Sequence, residues 1–189
     1  MRRMMNIFGS TALSLAIMAI SLGDVMGQSS APSKSSTNDQ NTNRGMIEIV
    51  LNGNNISLDY GRPEMKGRDM LAMAPDGFVW RMGMNQSTTF KSDTDLMFGK
   101  KKLTKGSYST WIKHIKGDQW ALVFNSEVGI WGMPGAKREN DILEIPFTYS
   151  KVDNIVERFT VDIKNHDDNG RGHMVVTWSN HKLETTFSL

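Results

Sequence analysis

The sequence predicts an all-β fold: an antiparallel β-sandwich, jelly-roll or immunoglobulin-like, of about nine to ten strands. Three observations predict it. Short runs rich in β-branched and aromatic residues recur along the chain, turn residues separate them every ~8–12 positions, and no segment holds a sustained helical period.

The first element is the clearest. In "MIEIVLNGNNISLDY" (46–60), Asn52-Gly53 suits a two-residue type I′ turn, whose central positions both need positive φ. Pairing outward sets Leu51 against Asn54, Ile49 against Ile56 and Ile47 against Leu58, three pairs on one face. Glu48, Ser57 and Asp59 fall on the other face. "PEMKGRDMLAMAP" (63–75) is bounded by proline and glycine and has room for a helical turn at most. "GFVWRMG" follows a Pro75-Asp76-Gly77 turn, and "STTFKS" and "DLMFG" come next. "GSYSTWIKHI" and "QWALVFNS" flank Gly117-Asp118. With a two-residue turn there, Trp111, Lys113, Ile115, Trp120, Leu122 and Phe124 share one face. Tyr108, Thr110, Ile112, His114, Ala121, Val123 and Asn125 share the other. "ILEIPFTYS", "IVERFTVDI", "HMVVTWS" and "LETTFSL" close the chain. Pro146 marks an edge strand or a bulge, and "NHDDNGRG" is a solvated turn.

Residues 1–27 have the layout of a signal peptide. Arg2 and Arg3 precede an uncharged apolar run from Ile7 to Leu22, and small residues follow, with cleavage expected before Gln28. The apolar run falls short of the roughly 20 residues of a spanning helix, so no membrane span is expected after processing. Residues 28–44 form a polar stretch without aromatic or large aliphatic side chains, expected to stay disordered. Residues 45–189 are then one domain, large enough for a single core. The expected location is the periplasm or the exterior. The chain has no cysteine, so the fold rests on its core alone.

The formal charge is +2, of which Arg2, Arg3 and Asp24 supply one unit, leaving a near-neutral mature chain. That balance argues against a nucleic-acid partner. Basic character is local instead. "YGRPEMKGRDM" places Arg62, Lys66 and Arg68 around Pro63 and Gly67, and "VWRMGMNQSTT" follows with Arg81. Guanidinium forks suit carboxylates, phosphates and sulfates. The same arginines equally suit clamping loop carbonyls, or pairing with Asp59, Glu64, Asp69 or Asp76.

Enzymatic motifs are sparse. His114, His166, His173 and His181 sit in no nucleophile motif, and a carboxylate pair such as Asp59 with Glu127 is open but not demanded by spacing. No metal-ligand spacing occurs. Nine of the 14 methionines lie beyond residue 27; they suit core filling, with a Cu(I) site at Met82 and Met84 as the rival reading. No cofactor is expected.

Several phrases, "ISLDYGRPEMKGR", "VWRMGMNQST", "KGSYSTW" and "QWALVFNSEVGIWG", resemble the secreted bacterial family of domain of unknown function 2911. Its recurring phrases are D/T-Y-x-R-P-x-x-K-G-R, V-W-R-x-G-x-N-x-x-T, G-x-Y-S, and a W-x-x-x-x-N strand ending near a W-G pair. The resemblance spans residues 46 to 132. It carries over Tyr60, Arg62, Pro63, Lys66, Gly67, Arg68, Trp80, Arg81, Gly83, Asn85, Thr89, Gly106, Tyr108, Ser109, Trp120, Asn125, Trp131 and Gly132. "TWIKHIKG" departs from the pattern, so His114 is not carried over. The resemblance implies a compartment and candidate positions, not a chemistry.

The expected site combines Arg62, Lys66, Arg68, Arg81 and Asn85, with Trp80 and Tyr108 as walls, and takes an anionic small molecule or an acidic glycan. The rival readings are a hydrolase of envelope carbohydrate and a structural interaction module, which would show an exposed apolar patch instead.

Overall fold

The computed structural model describes residues 34–36, 43–167 and 170–189. The signal-peptide reading of residues 1–27 lies outside them, as does most of the 28–44 leader. Within that leader Lys34–Ser36 (β1) pairs antiparallel with residues 46–48, so this part of it is a short edge strand.

Two antiparallel sheets form a β-sandwich. The large sheet runs β1, β2 (Arg44–Leu51), β3 (Asn54–Gly61), β5 (Thr88–Ser92), β8 (Gly106–Lys116), β9 (Gln119–Asn125) and β10 (Asp141–Pro146), and β4 (Val79–Trp80) pairs with the far part of β8. The small sheet runs β11 (Thr148–Asp167), β12 (Arg171–Ser188), β6 (Leu96–Phe98) and β7 (Lys101–Leu103). Among the described residues the one helical element is the 3-10 turn Arg138–Asn140, and no helix is long and apolar enough to cross a membrane.

The β2–β3 hairpin has the predicted register, with Ile49 opposite Ile56 and Ile47 opposite Leu58. Asn52 and Gly53 take φ of 46° and 81°, as the type I′ turn requires. Pro146 ends β10, the outermost strand beside β9, where its missing N–H costs no ladder bond. Residues 69–74 make a single hydrogen-bonded turn, with Met73 N–H on the Asp69 carbonyl at 3.1 Å.

The β8–β9 face assignment needs correction. The turn does use Gly117 and Asp118, because Lys116 pairs with Gln119. A bulge then intervenes between His114 and Lys116, and His114 pairs with Trp120. One extra residue shifts every later pair by one. Tyr108, Ile112, Trp120, Leu122 and Phe124 consequently share the core, and Trp111, Lys113, Ala121, Val123 and Asn125 face the opposite side.

The C-terminal strands bend sharply. Eleven residues of extended chain span roughly 36 Å, yet His173 and Glu184, both in β12, meet at 3.2 Å. Leu189 N–H also reaches the Gly170 carbonyl at 3.2 Å. The strand therefore reverses between them, where Ser179 holds a φ of 56°. β11 follows the same bend through register shifts between Lys151 and Thr160. This reversal is why the sequence reads as two separate runs, "HMVVTWS" and "LETTFSL".

The core lies between the sheets. Phe98 bridges them, with its ring 5.4 Å from both Phe124 and Phe187. Trp80 stacks on Trp178 at 5.2 Å and meets the edge of Phe159 at 4.9 Å. These contacts fix β4 and so aim the next residue, Arg81, the other way.

Candidate functional site

The outer face of β8 and β9 is not left to solvent. Asn125 is fully buried and anchors the segment that crosses that face. Its amide donates to the Lys137 carbonyl at 2.8 Å and to Asp141 Oδ1 at 2.7 Å, and its oxygen accepts the Glu127 N–H at 2.9 Å. Glu127 in turn accepts the Lys137 N–H at 2.7 Å. The other limb is tied to the turn before β5: Ser87 N–H donates to Ile130, and Gln86 forms a bridge with Trp131. Trp111 is buried below, its indole N–H on Ser109 Oγ at 2.9 Å.

Between this segment and β4 lies an open cleft of about 510 Å³. Phe78 and Trp111 supply aromatic residues, Arg81 and Arg138 supply charge, and residues 132–136 form the opposite rim; Trp80 borders the cleft, but its ring is turned into the core against Trp178 and Phe159. No aspartate or glutamate lines the cleft. Arg138 lies over the Trp111 ring at 4.6 Å and approaches Asp141 at 3.4 Å. The Met133–Pro134 peptide in the rim is cis.

Arg81 is the most constrained group in the cleft. Its Nε is buried without a hydrogen-bond partner, and burial lowers the guanidinium pKa. Its side chain lies flat against Gly132: a Cβ there would come within 1.8 Å of Nη1 and 2.5 Å of Cζ. A side chain at this position would therefore displace Arg81. The fold brings together here two phrases on which the sequence resemblance rests, Trp80-Arg81 and Trp131-Gly132.

The other expected site residues lie elsewhere. Arg62 rests its aliphatic stem over Gly45, beside Tyr60, and its backbone N–H donates to the Asn43 carbonyl at 2.7 Å. Its Nε is also buried without a partner. Lys66 takes a φ of 48°, and its N–H donates to Glu157 Oε1 at 2.9 Å. Arg68 closes the same turn through its N–H on Met65 at 2.9 Å, and both side chains are exposed. Asn85 is exposed with a φ of 63°, the left-handed region that asparagine tolerates well. The neighbouring Gly61 cannot carry a side chain, because a Cβ would lie 2.3 Å from the Met84 carbonyl oxygen.

Tyr108 needs correction as a wall. It is buried on the core face, where its hydroxyl donates to the Thr104 carbonyl at 2.8 Å and meets Thr104 Oγ1 at 3.0 Å. Met82 is fully buried too, so it fills the core. Among the described residues no group of three or more His, Asp or Glu is arranged to hold a metal ion.

One further cluster has no signature in the sequence. His181, buried on β12, donates Nε2–H to Asp69 Oδ2 at 3.1 Å. A carboxylate only accepts, so Nε2 carries the hydrogen there, and Nδ1 meets the Tyr149 hydroxyl at 2.9 Å. Burial pushes the Asp69 carboxyl up, but the Ala72 N–H, the Ser179 hydroxyl and His181 together hold it below the usual range. Burial raises the Tyr149 phenol, helped by the charges of Asp118 and Asp69. The chain ties the β3–β4 loop to the small sheet. Sequence spacing carries no signal for it, since the three residues are 80 and 32 positions apart. His114 is also a brace: its ring stacks on Trp120 at 4.3 Å, and its nitrogens lie 2.8 Å from the carbonyls of Ala74 and Gly117.

A family model described as Protein of unknown function (DUF2911) matches residues 42–187. No curated protein and no solved structure matches the chain.

Proposed function

Because the chain belongs to the family described as Protein of unknown function (DUF2911), we propose its role from the cleft itself. The domain binds an anionic ligand, an acidic glycan or a small carboxylated or sulfated molecule, between Arg81 and Arg138. It does so in the periplasm or outside the cell, a location supported by the basic, apolar and small-residue layout of residues 1–27.

One observation carries the reading. Arg81 and Arg138 both reach a cleft whose lining holds no carboxylate. A planar anion accepts from the outward ends of such guanidinium forks. The aromatic walls suit the apolar face of a ring. Hydrolysis through a carboxylate pair has no support in this cleft, whose lining holds no carboxylate.

The test is a thermal-shift and calorimetry screen of oligogalacturonates, sulfated oligosaccharides and inorganic phosphate. A ligand bound only to the folded state at 100 times its Kd stabilises by about 2.7 kcal/mol. That gain should shrink with added salt and disappear in Arg81→Gln and Arg138→Gln. No shift with any anion, or an undiminished shift in Arg81→Gln, would overturn the proposal.

A further inference from the structure

Trp131 is 59% exposed, and Met133 on the same segment is 85% exposed. Burying such side chains is favourable, so their position in water asks for an explanation. Trp131 is not on a free loop. Its backbone is bridged to Gln86, and the Ile130 carbonyl before it accepts the Ser87 N–H at 2.7 Å. The next residue is Gly132, the seat of Arg81. The backbone that carries this exposed aromatic side chain is therefore held in place, one residue from the charged cleft.

We infer that Trp131 forms a second subsite, so that the cleft takes a chain of at least two sugar rings with an acidic group on the ring bound at Arg81. The inference rests on the anion-binding reading of the cleft and extends it. The acidic ring occupies the Arg81–Arg138 subsite, and the neighbouring ring stacks on the Trp131 indole, whose flat face covers sugar C–H groups without needing a charge. The cleft of about 510 Å³ is open at the surface, which lets a polymer enter and leave without its ends being enclosed.

An anionic bilayer is the other occupant that Val128, Trp131 and Met133 suggest, since all three are exposed on this segment. Charge argues against it. Across residues 126–140, Lys137 and Arg138 are matched by Glu127 and Glu139, so the rim as a whole has no net attraction for an anionic surface. The cationic character is confined to the cleft, where a single acidic group fits.

Length dependence provides the test. Calorimetric Kd values are measured for oligogalacturonates of one to six residues against wild type, Trp131→Ala, Trp131→Phe and Arg81→Gln, and melting curves check each variant. Wild type should gain affinity from monomer to dimer. Trp131→Ala should leave the monomer Kd within about twofold and weaken the dimer and longer chains about tenfold, with Trp131→Phe restoring most of the loss. Arg81→Gln should weaken every length. Equal Kd values for monomer and oligomers in wild type, or no change in length dependence in Trp131→Ala, would overturn the second subsite while leaving the anion site in place. Absence of binding at every length would overturn both. A parallel arm uses vesicles of phosphatidylglycerol and phosphatidylcholine. Trp131-dependent capture by these vesicles, without oligosaccharide binding, would assign the segment to a bilayer and sink the inference.

Discussion

Gly132→Ala probes the Arg81 seat without altering any charge. The added methyl would lie 1.8 Å from Arg81 Nη1. To reach the 3.4 Å of ordinary contact, the guanidinium must retreat by about 1.6 Å (3.4 − 1.8). Hydrogen bonds of this kind hold within a window of a few tenths of an ångström, so a shift of that size breaks the bonds that Arg81 makes to a bound anion. Charge-assisted bonds contribute about 1.5–3 kcal/mol, which corresponds to a Kd weakened roughly 10- to 150-fold. Stability should behave differently. Gly132 is not among the glycines with positive φ, and the clashing atoms are the mobile end of a side chain, so neither backbone strain nor a rigid overlap results. Alanine also narrows the unfolded ensemble, worth about 0.4–1 kcal/mol. The expected outcome is an unchanged or slightly raised Tm with anion binding lost, read by calorimetry and thermal melting on one preparation. Wild-type affinity in Gly132→Ala would show that Arg81 is not positioned by this glycine. A large loss of Tm with no change in binding would show that the rim, not the guanidinium, is what the glycine protects.

Three other outcomes follow from the geometry. Asp69 has a depressed pKa in the fold, so its contribution to stability is present above the ordinary carboxylate pKa of about 3.9 and disappears as pH falls through the lower folded value. Asp69→Asn should therefore flatten part of the decline of Tm below about pH 4; Asp93 and Asp95, held down by the Asn55 N–H and by Lys102, keep the remainder. Asn125→Ala strands the buried groups that it now satisfies and should cost about 1–3 kcal/mol in urea unfolding, with faster amide exchange across residues 127–137. Tyr108→Phe should cost about 1 kcal/mol through the lost Thr104 bonds, and anion titrations should be unaffected, since Tyr108 lies in the core.

What the sequence revealed depended on how locally each feature is encoded. The β2–β3 register was legible because Asn52-Gly53 fixes the turn and three apolar pairs agree with it. The β8–β9 register was not, because a bulge at Ile115 leaves the composition unchanged and exchanges the faces of all the residues beyond it. Tyr108 was misplaced by that single residue. The basic phrases were legible as chemistry but not as a site. Pro63 and Gly67 do shape the Arg62–Arg68 stretch, yet its backbone is spent on the small sheet, through Met65 N–H on Glu157 and the Pro63 carbonyl under the Phe159 N–H. Arg62 is bent back over Gly45, and only Arg81 reaches the cleft. Its partners there come from a segment some 50 residues later, held in place by Asn125. β9 and β10 are neighbouring antiparallel strands that a tight turn could join, but residues 126–140 between them run over the outer face instead. The crossing covers Trp111, sets Gly132 under Arg81 and leaves Trp131 in water. The same covalent step that seats the cation also exposes the ring, and that coupling is why the two residues invite a ligand with a charge and a flat face side by side.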